Sequence, residues 1–254
     1  MGNQLRERWV AGEPAFGAWI SLRDPLVAET AASLGFDYVC IDLQHGLNDY
    51  DRMVDALAAM ARTAPTPLVR VPWNEPGIIG RVLDAGAGGV IVPMVNSVDE
   101  ARRAASACHY WPAGTRSFGP IAHGARGGFP GTQVANEQVL CIPMIETREA
   151  VERVDEILDV PGIAAVYIGP ADLSITYGLR PAMDQDDEEW NAAIASVVAS
   201  CATREVVAGV HSAAPLAAKR VGQGFRMITV ASDLGALAAG MAADLRSSRE
   251  VTGG

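Results

Sequence analysis

Short apolar runs rich in β-branched residues alternate with amphipathic segments along the whole chain. The apolar runs have the length of strands, and the amphipathic segments have the periodicity of helices. Strands are predicted near residues 16–21, 38–42, 68–71, 90–93, 139–145, 164–168, 206–210 and 227–230. Helices are predicted to begin near Pro25, Tyr50, Pro76, Val98, Arg148, Asp187, Pro215 and Asp233. Eight strands alternating with eight helices predict an α/β fold, a (β/α)8 TIM barrel, as a single domain over residues 1–254.

A doubly wound open sheet is the alternative to the barrel. Such a sheet usually carries a glycine-rich phosphate loop directly after its first strand. Here the first predicted strand is followed by SLRDPLV, which has no glycine. The closed barrel is therefore favoured, and nothing in the sequence suggests a phosphate-binding loop.

The longest irregular stretch runs from residue 110 to 133 and contains GTRSFGPIAHGARGGFPG. A loop of this length in a compact barrel is usually functional, and its glycines suit a lid or the wall of a pocket. A plain glycine-rich connection is the alternative. His123 lies within this stretch and becomes a site candidate if the stretch is a lid.

Composition narrows the classes of function. The net charge is −10 and the pI is about 4.8, so a nucleic-acid partner is not expected. No apolar stretch has the length of a membrane span and the N-terminus is charged, which predicts a cytoplasmic location. The four cysteines form no CxxC pair. Schiff-base chemistry needs a lysine aimed into the pocket. Because the one lysine, Lys219, lies in a helix-like segment beyond a strand end, we expect carbonyl chemistry here to use a metal ion.

Two carboxylates stand at the C-terminal ends of two separate predicted strands. Glu146 follows LCIPMI, and Asp172 follows AAVYIG in the segment GPADLS. Ligands of α/β barrels bind at this end of the strands, and carboxylate oxygens suit a hard divalent cation. The alternative is that each acid only caps a helix or faces its dipole. Together the pair predicts a metal site.

Other polar residues fall at the same end of the predicted strands. His45 is a natural general base, and Arg70 offers a fixed charge for a carboxylate or an enolate oxygen. The turn from Gly169 to Asp172 would present backbone N–H groups to a substrate carboxylate. For Asp42 three roles stay open: it orients His45, it binds metal-coordinated water, or it pairs with an arginine of the barrel. Three residues are expected to contact the catalytic and metal-binding side chains without binding the metal themselves: Asp42, Gln44 and His211.

Several long segments, taken in order, resemble the HpcH/HpaI aldolase family, the metal-dependent class II pyruvate aldolases. They are GAWISLRDPLVAETAASLGFDYVCIDLQHG, PLVRVPWNEP, VLDAGAGGVIVPMVNSVDEAR, YWPAGTRSFGP and MIETREAVERVDEILDVPGIAAVYIGPADLS. The resemblance implies a barrel of the phosphoenolpyruvate/pyruvate-domain type with Mg, Mn, Co or Zn bound by Glu146 and Asp172. It further implies His45 as the base, Arg70 steadying the enolate, and Asp84 supporting His45 from the same or a neighbouring subunit.

Family members generally form homohexamers that exchange their C-terminal helices, and the alanine-rich stretch near residues 233–249 would suit that exchange. The chain departs from the resemblance in two places. Met144 stands where many members have glutamine, two residues before the metal glutamate, and the RSFGPIAHG region has a different pattern of small residues. Both departures are expected to affect the choice of substrate more than the metal chemistry.

The function expected from these residues is aldol cleavage or synthesis of a 4-hydroxy-2-oxo acid through a pyruvate enolate, with a 2-oxo acid and an aldehyde as partners. Oxaloacetate decarboxylation, or citrate-lyase-like cleavage of an acyl-CoA, is the alternative on the same scaffold. A CoA substrate would call for a basic pocket, which the acidic composition does not indicate. A non-catalytic barrel is a third hypothesis, and it does not explain why the acids, the base and the arginine all stand at strand ends.

Overall fold

The computed structural model of the protein describes residues 3–122 and 128–252. Eight parallel strands form a closed barrel in chain order, and β8 pairs with β1 to close it. The strands are β1 (Ala15–Ile20), β2 (Tyr38–Asp42), β3 (Thr66–Arg70), β4 (Gly89–Val92), β5 (Leu140–Ile145), β6 (Ala165–Ile168), β7 (Val207–His211) and β8 (Met227–Ser232). The predicted (β/α)8 barrel is confirmed.

Helices surround the barrel and follow the predicted order. They are α1 (Gln4–Val10), α2 (Pro25–Ser33), α3 (Tyr50–Ala59), α4 (Pro76–Asp84), α5 (Val98–Cys108), α6 (Thr132–Gln138), α7 (Arg148–Glu152), α8 (Val154–Leu158), α9 (Pro170–Thr176), α10 (Glu188–Thr203), α11 (Ala217–Gln223) and α12 (Asp233–Thr252), with a 3₁₀ turn at Ala214–Leu216. None of the described helices is long and apolar enough to cross a membrane.

Side-chain caps explain why most of the helix starts could be predicted. A side-chain oxygen that accepts a hydrogen bond from the first turn satisfies a backbone N–H that has no partner within the helix. Residues that do this are Asp24 for α2, Asp49 for α3, Ser97 for α5, Thr147 for α7 and Asp187 for α10. The helix predicted to begin near Asp187 is α10, which begins at Glu188 with Asp187 as its cap.

The strands divide the buried side chains between two cores. Successive residues of a strand point to opposite faces, so Trp19, Tyr38 and Tyr167 fill the barrel interior. Val39 and Ile41 point outward and pack in the layer between strands and helices. The strands therefore read as continuous apolar runs, as expected when both faces are buried.

Helix α1, which the strand and helix pattern did not predict, contributes to the interior core. Leu5 and Trp9 are buried with the interior residues, and the Trp9 indole N–H donates to the carbonyl of Arg226 at 3.1 Å. Arg226 directly precedes β8, so α1 covers the end of the barrel where the strands begin. We call this end the N-terminal face and the opposite end the C-terminal face.

Two interior glycines make room for the large aromatic residues. A Cβ atom at Gly17 of β1 would overlap the ring of Tyr38, and one at Gly209 of β7 would lie 2.8 Å from the ring of Tyr167. Both tyrosines are completely buried. The barrel therefore holds tyrosine hydroxyls deep in its interior, below the C-terminal face.

Candidate active site

A cavity of about 490 Å³ opens at the C-terminal face of the barrel. The predicted site residues that line it are His45, Arg70, Gly169, Pro170, Ala171, Asp172 and His211. They come from four different strand ends or the loops that follow them, so the closed barrel brings together residues that are far apart in sequence. This is the face on which barrel enzymes carry their active sites.

Glu146 directly follows β5 and is almost completely buried beside this cavity. Its Oε1 accepts a hydrogen bond from the backbone N–H of Met94 at 2.7 Å. Burial and, to a smaller extent, the charge of Asp172 raise the pKa of Glu146 to about 7 against the opposing effects of the Met94 N–H and of Arg70. The two carboxylates are therefore close enough for their charges to interact.

This pair of acids fits a hard divalent ion. Two carboxylates brought together in a buried site repel each other, and a cation between them removes that repulsion. Among the described residues no group of three or more His, Cys, Asp or Glu side chains could hold a metal. A metal bound here would thus have two protein carboxylates and further positions open to water or substrate oxygens.

Gly169 allows the two halves of this site to approach. A Cβ atom at this position would overlap Oε2 of Glu146 and lie 3.0 Å from Cε of Met144. Its backbone is in the extended region, with φ at −93°, so the need for glycine here is one of space.

Asp42 and Arg70 form a buried ion pair on neighbouring strands. Arg70 donates from Nε to Oδ1 of Asp42 at 2.8 Å and from Nη2 to Oδ2 at 2.6 Å. The Trp19 indole N–H also donates to Oδ2, at 3.2 Å. Burial by itself raises the pKa of Asp42, but the hydrogen bonds and charge of Arg70 outweigh it and hold that pKa below its ordinary value. Of the three roles open for Asp42, the structure shows the pairing with an arginine.

The same contacts fix the position of Arg70. Its guanidinium lies 4.9 Å from the centroid of the Trp19 ring, and Asp42 occupies two of its five N–H groups. Since Arg70 lines the cavity, the other N–H groups are available to a substrate oxygen. Trp19 was not identified as a site residue from the sequence. Its side chain nevertheless points into the barrel interior from β1, as the side chain of Asp42 does from β2.

His45 lies in the loop between β2 and α3 and lines the cavity with an exposed side chain. Its backbone N–H donates to Oδ1 of Asp42 at 3.3 Å, and that of Gln44 donates to the same atom at 3.0 Å. Asp42 therefore orders the loop that carries His45. Gln44 does not line the cavity, and its side-chain oxygen is buried with no hydrogen-bond partner among the described residues.

Asp84 is not near His45 of the same chain. It is the last residue of α4, a helix that runs from the C-terminal face back to the N-terminal face before β4. There it accepts a hydrogen bond from Arg116 at 2.7 Å. The expectation that Asp84 supports His45 within one subunit is therefore wrong, and its contribution from a neighbouring subunit stays a prediction.

The described residues of the glycine-rich stretch, 110–122 and 128–131, also lie at the N-terminal face, because they follow the end of α5 and precede α6 and β5. These described residues do not cover the cavity of their own chain, because a connection from a helix to the next strand lies at the end of the barrel opposite the cavity, so they do not support the prediction of a lid. Tyr110, Phe118 and Phe129 pack together in it. His123 lies outside the described residues.

Met183 is a lining residue that the sequence did not reveal. It lies in the loop between α9 and α10, and its carbonyl accepts a hydrogen bond from Arg220, at 2.5 Å. Arg220 is completely buried on α11 and also donates to Asp184 at 3.0 Å. Lys219 donates to Asp184 at 2.6 Å and does not line the cavity.

Comparison with known proteins matches this arrangement to one family. The profile of the HpcH/HpaI aldolase/citrate lyase family matches residues 15–239. Hydroxypyruvate/pyruvate aldolase of Rhizorhabdus wittichii is 40% identical over 238 residues, covering 93% of this chain and 95% of that protein. A 4-hydroxy-2-oxo-heptane-1,7-dioate aldolase of Salmonella paratyphi A is 37% identical over 223 residues, covering 87% and 84%.

A solved structure agrees with these sequence matches. The crystal structure of an HpcH/HpaI aldolase/citrate lyase family protein from Burkholderia cenocepacia superposes with a TM-score of 0.89 at 32% identity, covering 97% of this chain and 99% of that one. The similarity therefore extends over the whole barrel and includes the strand ends that surround the cavity.

Proposed function

This chain belongs to the HpcH/HpaI aldolase/citrate lyase family, as a carbon–carbon lyase of the class II pyruvate aldolase type, and we propose that it cleaves 4-hydroxy-2-oxo acids to pyruvate and an aldehyde. The reverse aldol addition would use the same residues. The observation that carries this proposal is that His45, Arg70 and Asp172 line one cavity, and that Glu146 is buried beside it, close enough to Asp172 and Arg70 for their charges to act on its carboxylate.

Glu146 and Asp172 would hold a divalent ion, and Mg, Mn, Co and Zn are the candidates. The bound ion would supply Lewis-acid stabilisation of the negative charge that develops on the 2-oxo group. Glu146 must be ionised to bind it, and its raised pKa means that the cation competes with a proton for this carboxylate.

Arg70 would donate to the oxygen that becomes negative as the enolate forms. Asp42 and Trp19 hold its guanidinium in place before the substrate binds, so little reorganisation is needed when the charge develops. The turn from Gly169 to Asp172 lines the same cavity, and the backbone N–H groups of Ala171 and Asp172 would face the substrate carboxylate.

His45 would take the proton of the C4 hydroxyl in cleavage and return it in synthesis, directly or through a water molecule. Its exposed position at the mouth of the cavity suits exchange of that proton with solvent. Asp84 of a neighbouring subunit would be the acid that supports it.

We propose that the protein assembles with copies of itself as a hexamer that exchanges helix α12. The main contacts of this helix with the barrel are to β1 and β8, and residues 234–251 are exposed. Leu234, Leu237, Met241 and Leu245 are exposed along it at helical spacing. An apolar groove between α2 and the start of α12 has a volume of about 420 Å³. Such a stripe and groove would be covered in an oligomer.

A screen of pyruvate release tests the proposed activity. Purified protein is treated with EDTA, supplied with Mg, Mn, Co or Zn, and given a panel of 4-hydroxy-2-oxo acids together with oxaloacetate. We expect release from a hydroxy-oxo acid that EDTA abolishes and a divalent ion restores. His45→Ala should lower cleavage by roughly 100-fold or more, the usual scale for a general base, while pyruvate binding is retained.

Lys219→Arg is the matched control, because it keeps the charge and removes the amine that a Schiff base requires. We expect this variant to retain full activity and borohydride with pyruvate to leave the wild type active. Release of pyruvate from oxaloacetate alone would favour the decarboxylase alternative. Trapping of pyruvate on Lys219 would contradict the metal-dependent mechanism.

A further inference from the structure

His211 ends β7 and places its imidazole on the wall of the cavity. The edge of the ring meets Trp19 at a centroid distance of 4.8 Å and an angle of 86°. A second aromatic contact, to Tyr167, has a centroid distance of 6.4 Å. Trp19 and Tyr167 are themselves stacked, with centroids 5.8 Å apart. His211 therefore has a fixed orientation, and none of the roles proposed above uses it.

A chain of hydrogen-bonded hydroxyl groups leads from the barrel interior to His211. The Tyr38 hydroxyl lies 2.9 Å from Oγ1 of Thr229, which is hydrogen-bonded to the Tyr167 hydroxyl. The Tyr167 hydroxyl lies 3.4 Å from Nδ1 of His211. The three residues that carry these hydroxyls are at most 1% exposed to solvent: Tyr38, Thr229 and Tyr167.

The number of protons favours one direction for this chain of hydrogen bonds. If Tyr38 donates to Thr229, Thr229 to Tyr167 and Tyr167 to Nδ1, all three hydroxyl protons have acceptors. If Nδ1 carries the proton instead, every bond reverses, and the proton of Tyr38 is left without an acceptor in the chain. Burying an unsatisfied donor is unfavourable. The first direction is therefore preferred, and it makes Nδ1 an acceptor.

A neutral imidazole whose Nδ1 accepts must carry its proton on Nε2. Burial, followed by the charge of Arg70, lowers the pKa of His211 to about 4, so the ring is neutral near pH 7. Nε2 makes no hydrogen bond to any residue in the part of the chain that the structure describes. The cavity wall thus presents a neutral, oriented N–H donor.

We propose that His211 is a specificity-determining residue whose Nε2–H binds a hydroxyl oxygen on the aldehyde component, so that the enzyme prefers hydroxyaldehydes to alkyl aldehydes. This inference rests on the proposed aldolase function. A donor fixed in this way loses a hydrogen bond when a methyl group replaces the hydroxyl, and the preference follows from that loss. Tyr167 is then a positioning residue, because it acts on the substrate only through the tautomer of His211.

Glycolaldehyde and propanal test this preference, since they have the same number of heavy atoms and differ by a hydroxyl in place of a methyl group. Each is added to pyruvate with the metal-supplemented enzyme, and kcat/KM is measured. His211→Leu should lower kcat/KM for glycolaldehyde about tenfold more than kcat/KM for propanal, the scale of one hydrogen bond. His211→Gln, which keeps a donor at similar reach, should retain most of the preference.

Two results would overturn the inference: an equal loss for both aldehydes in His211→Leu, or a glycolaldehyde to propanal ratio that the substitution does not change. Failure of the proposed function is distinguishable, because wild-type protein would then add no aldehyde to pyruvate with any of the divalent ions.

Nuclear magnetic resonance of ¹⁵N-histidine-labelled protein tests the tautomer without substrate or metal. The signals of His211 are assigned by their disappearance in His211→Gln. We expect the Nε2–H tautomer at neutral pH, and Tyr167→Phe, which removes the donor to Nδ1, should shift the Nδ1 resonance. A wild-type His211 with its proton on Nδ1 would contradict the proposal.

Discussion

Glu146 is a proposed metal ligand whose ionisation destabilises the folded protein when no metal is bound. Its carboxylate is buried beside a second acid, and burial raises its pKa to about 7. In an unfolded chain the same carboxyl would titrate near its ordinary value. Between pH about 4.5 and about 7, Glu146 is therefore protonated in the folded, metal-free protein and ionised in the unfolded chain. Removing this proton from the folded protein lowers its free energy of unfolding.

Because the pKa of Glu146 is higher in the folded protein than in the unfolded chain, stability is predicted to fall as the pH rises. The stability associated with Glu146 is fully present below pH about 4.5 and is lost as the pH rises through about 7. In EDTA, we expect wild type to lose about 3 kcal/mol relative to Glu146→Gln between pH 4.5 and 8, since each pKa unit is worth about 1.4 kcal/mol. Urea unfolding at both pH values measures it. Parallel pH profiles for the two proteins would show that Glu146 is not the group responsible.

Gly169 provides a second test at the scale of single residues. Gly169→Ala places a methyl group where Oε2 of Glu146 lies, so the carboxylate must turn away from the metal position. We expect metal affinity to fall by roughly tenfold or more, the scale seen when the support of a metal ligand is disturbed. Isothermal titration with Mg or Mn measures it. Gly77→Ala is the matched control, since a Cβ atom there meets nothing within 4 Å; equal affinity in both variants would mean that the ion lies elsewhere.

At the scale of secondary structure elements, the strands were the easiest to predict. Their two-residue alternation also places Asp42 and Arg70 in phase with the interior residues Tyr38 and Leu68, so their inward direction follows from the sequence. Met183 could not be found in this way, because its position depends on a loop held by the distant Arg220. Helix α1 was missed because its hydrogen bond to the carbonyl of Arg226 joins residues that are equally remote in sequence.

The exposed apolar stripe of helix α12 is predicted to lie in the interface between subunits. Leu237→Glu with Met241→Glu introduces two charges into its exposed apolar stripe, and we expect the oligomer to dissociate because buried charge without a partner is strongly unfavourable. Light scattering coupled to size exclusion gives the mass. Ala239→Glu with Ala243→Glu adds the same charge to the opposite side of this helix and should leave the assembly intact. An unchanged mass in the first variant would exclude the stripe from the interface.

At the scale of the whole molecule, barrel closure determines which predicted residues meet. Residues that follow strands converge at the C-terminal face, so the cavity could be expected from sequence order alone. The same rule, applied to the helix ends, would have placed Asp84 and the described residues of the glycine-rich stretch at the opposite face. The sequence did not reveal this because a glycine-rich loop looks the same whether it precedes or follows a strand.

The proposed function requires the Glu146 and Asp172 site to activate pyruvate through a divalent ion and without a lysine. Exchange of the pyruvate methyl protons into D₂O, followed by ¹H NMR, tests this step in the absence of any aldehyde. We predict no exchange in EDTA, exchange restored by Mg, wild-type exchange in Lys219→Arg, and loss of exchange in Glu146→Gln and Asp172→Asn. Exchange by the EDTA-treated protein at the metal-loaded rate, or loss of exchange in Lys219→Arg, would contradict this mechanism.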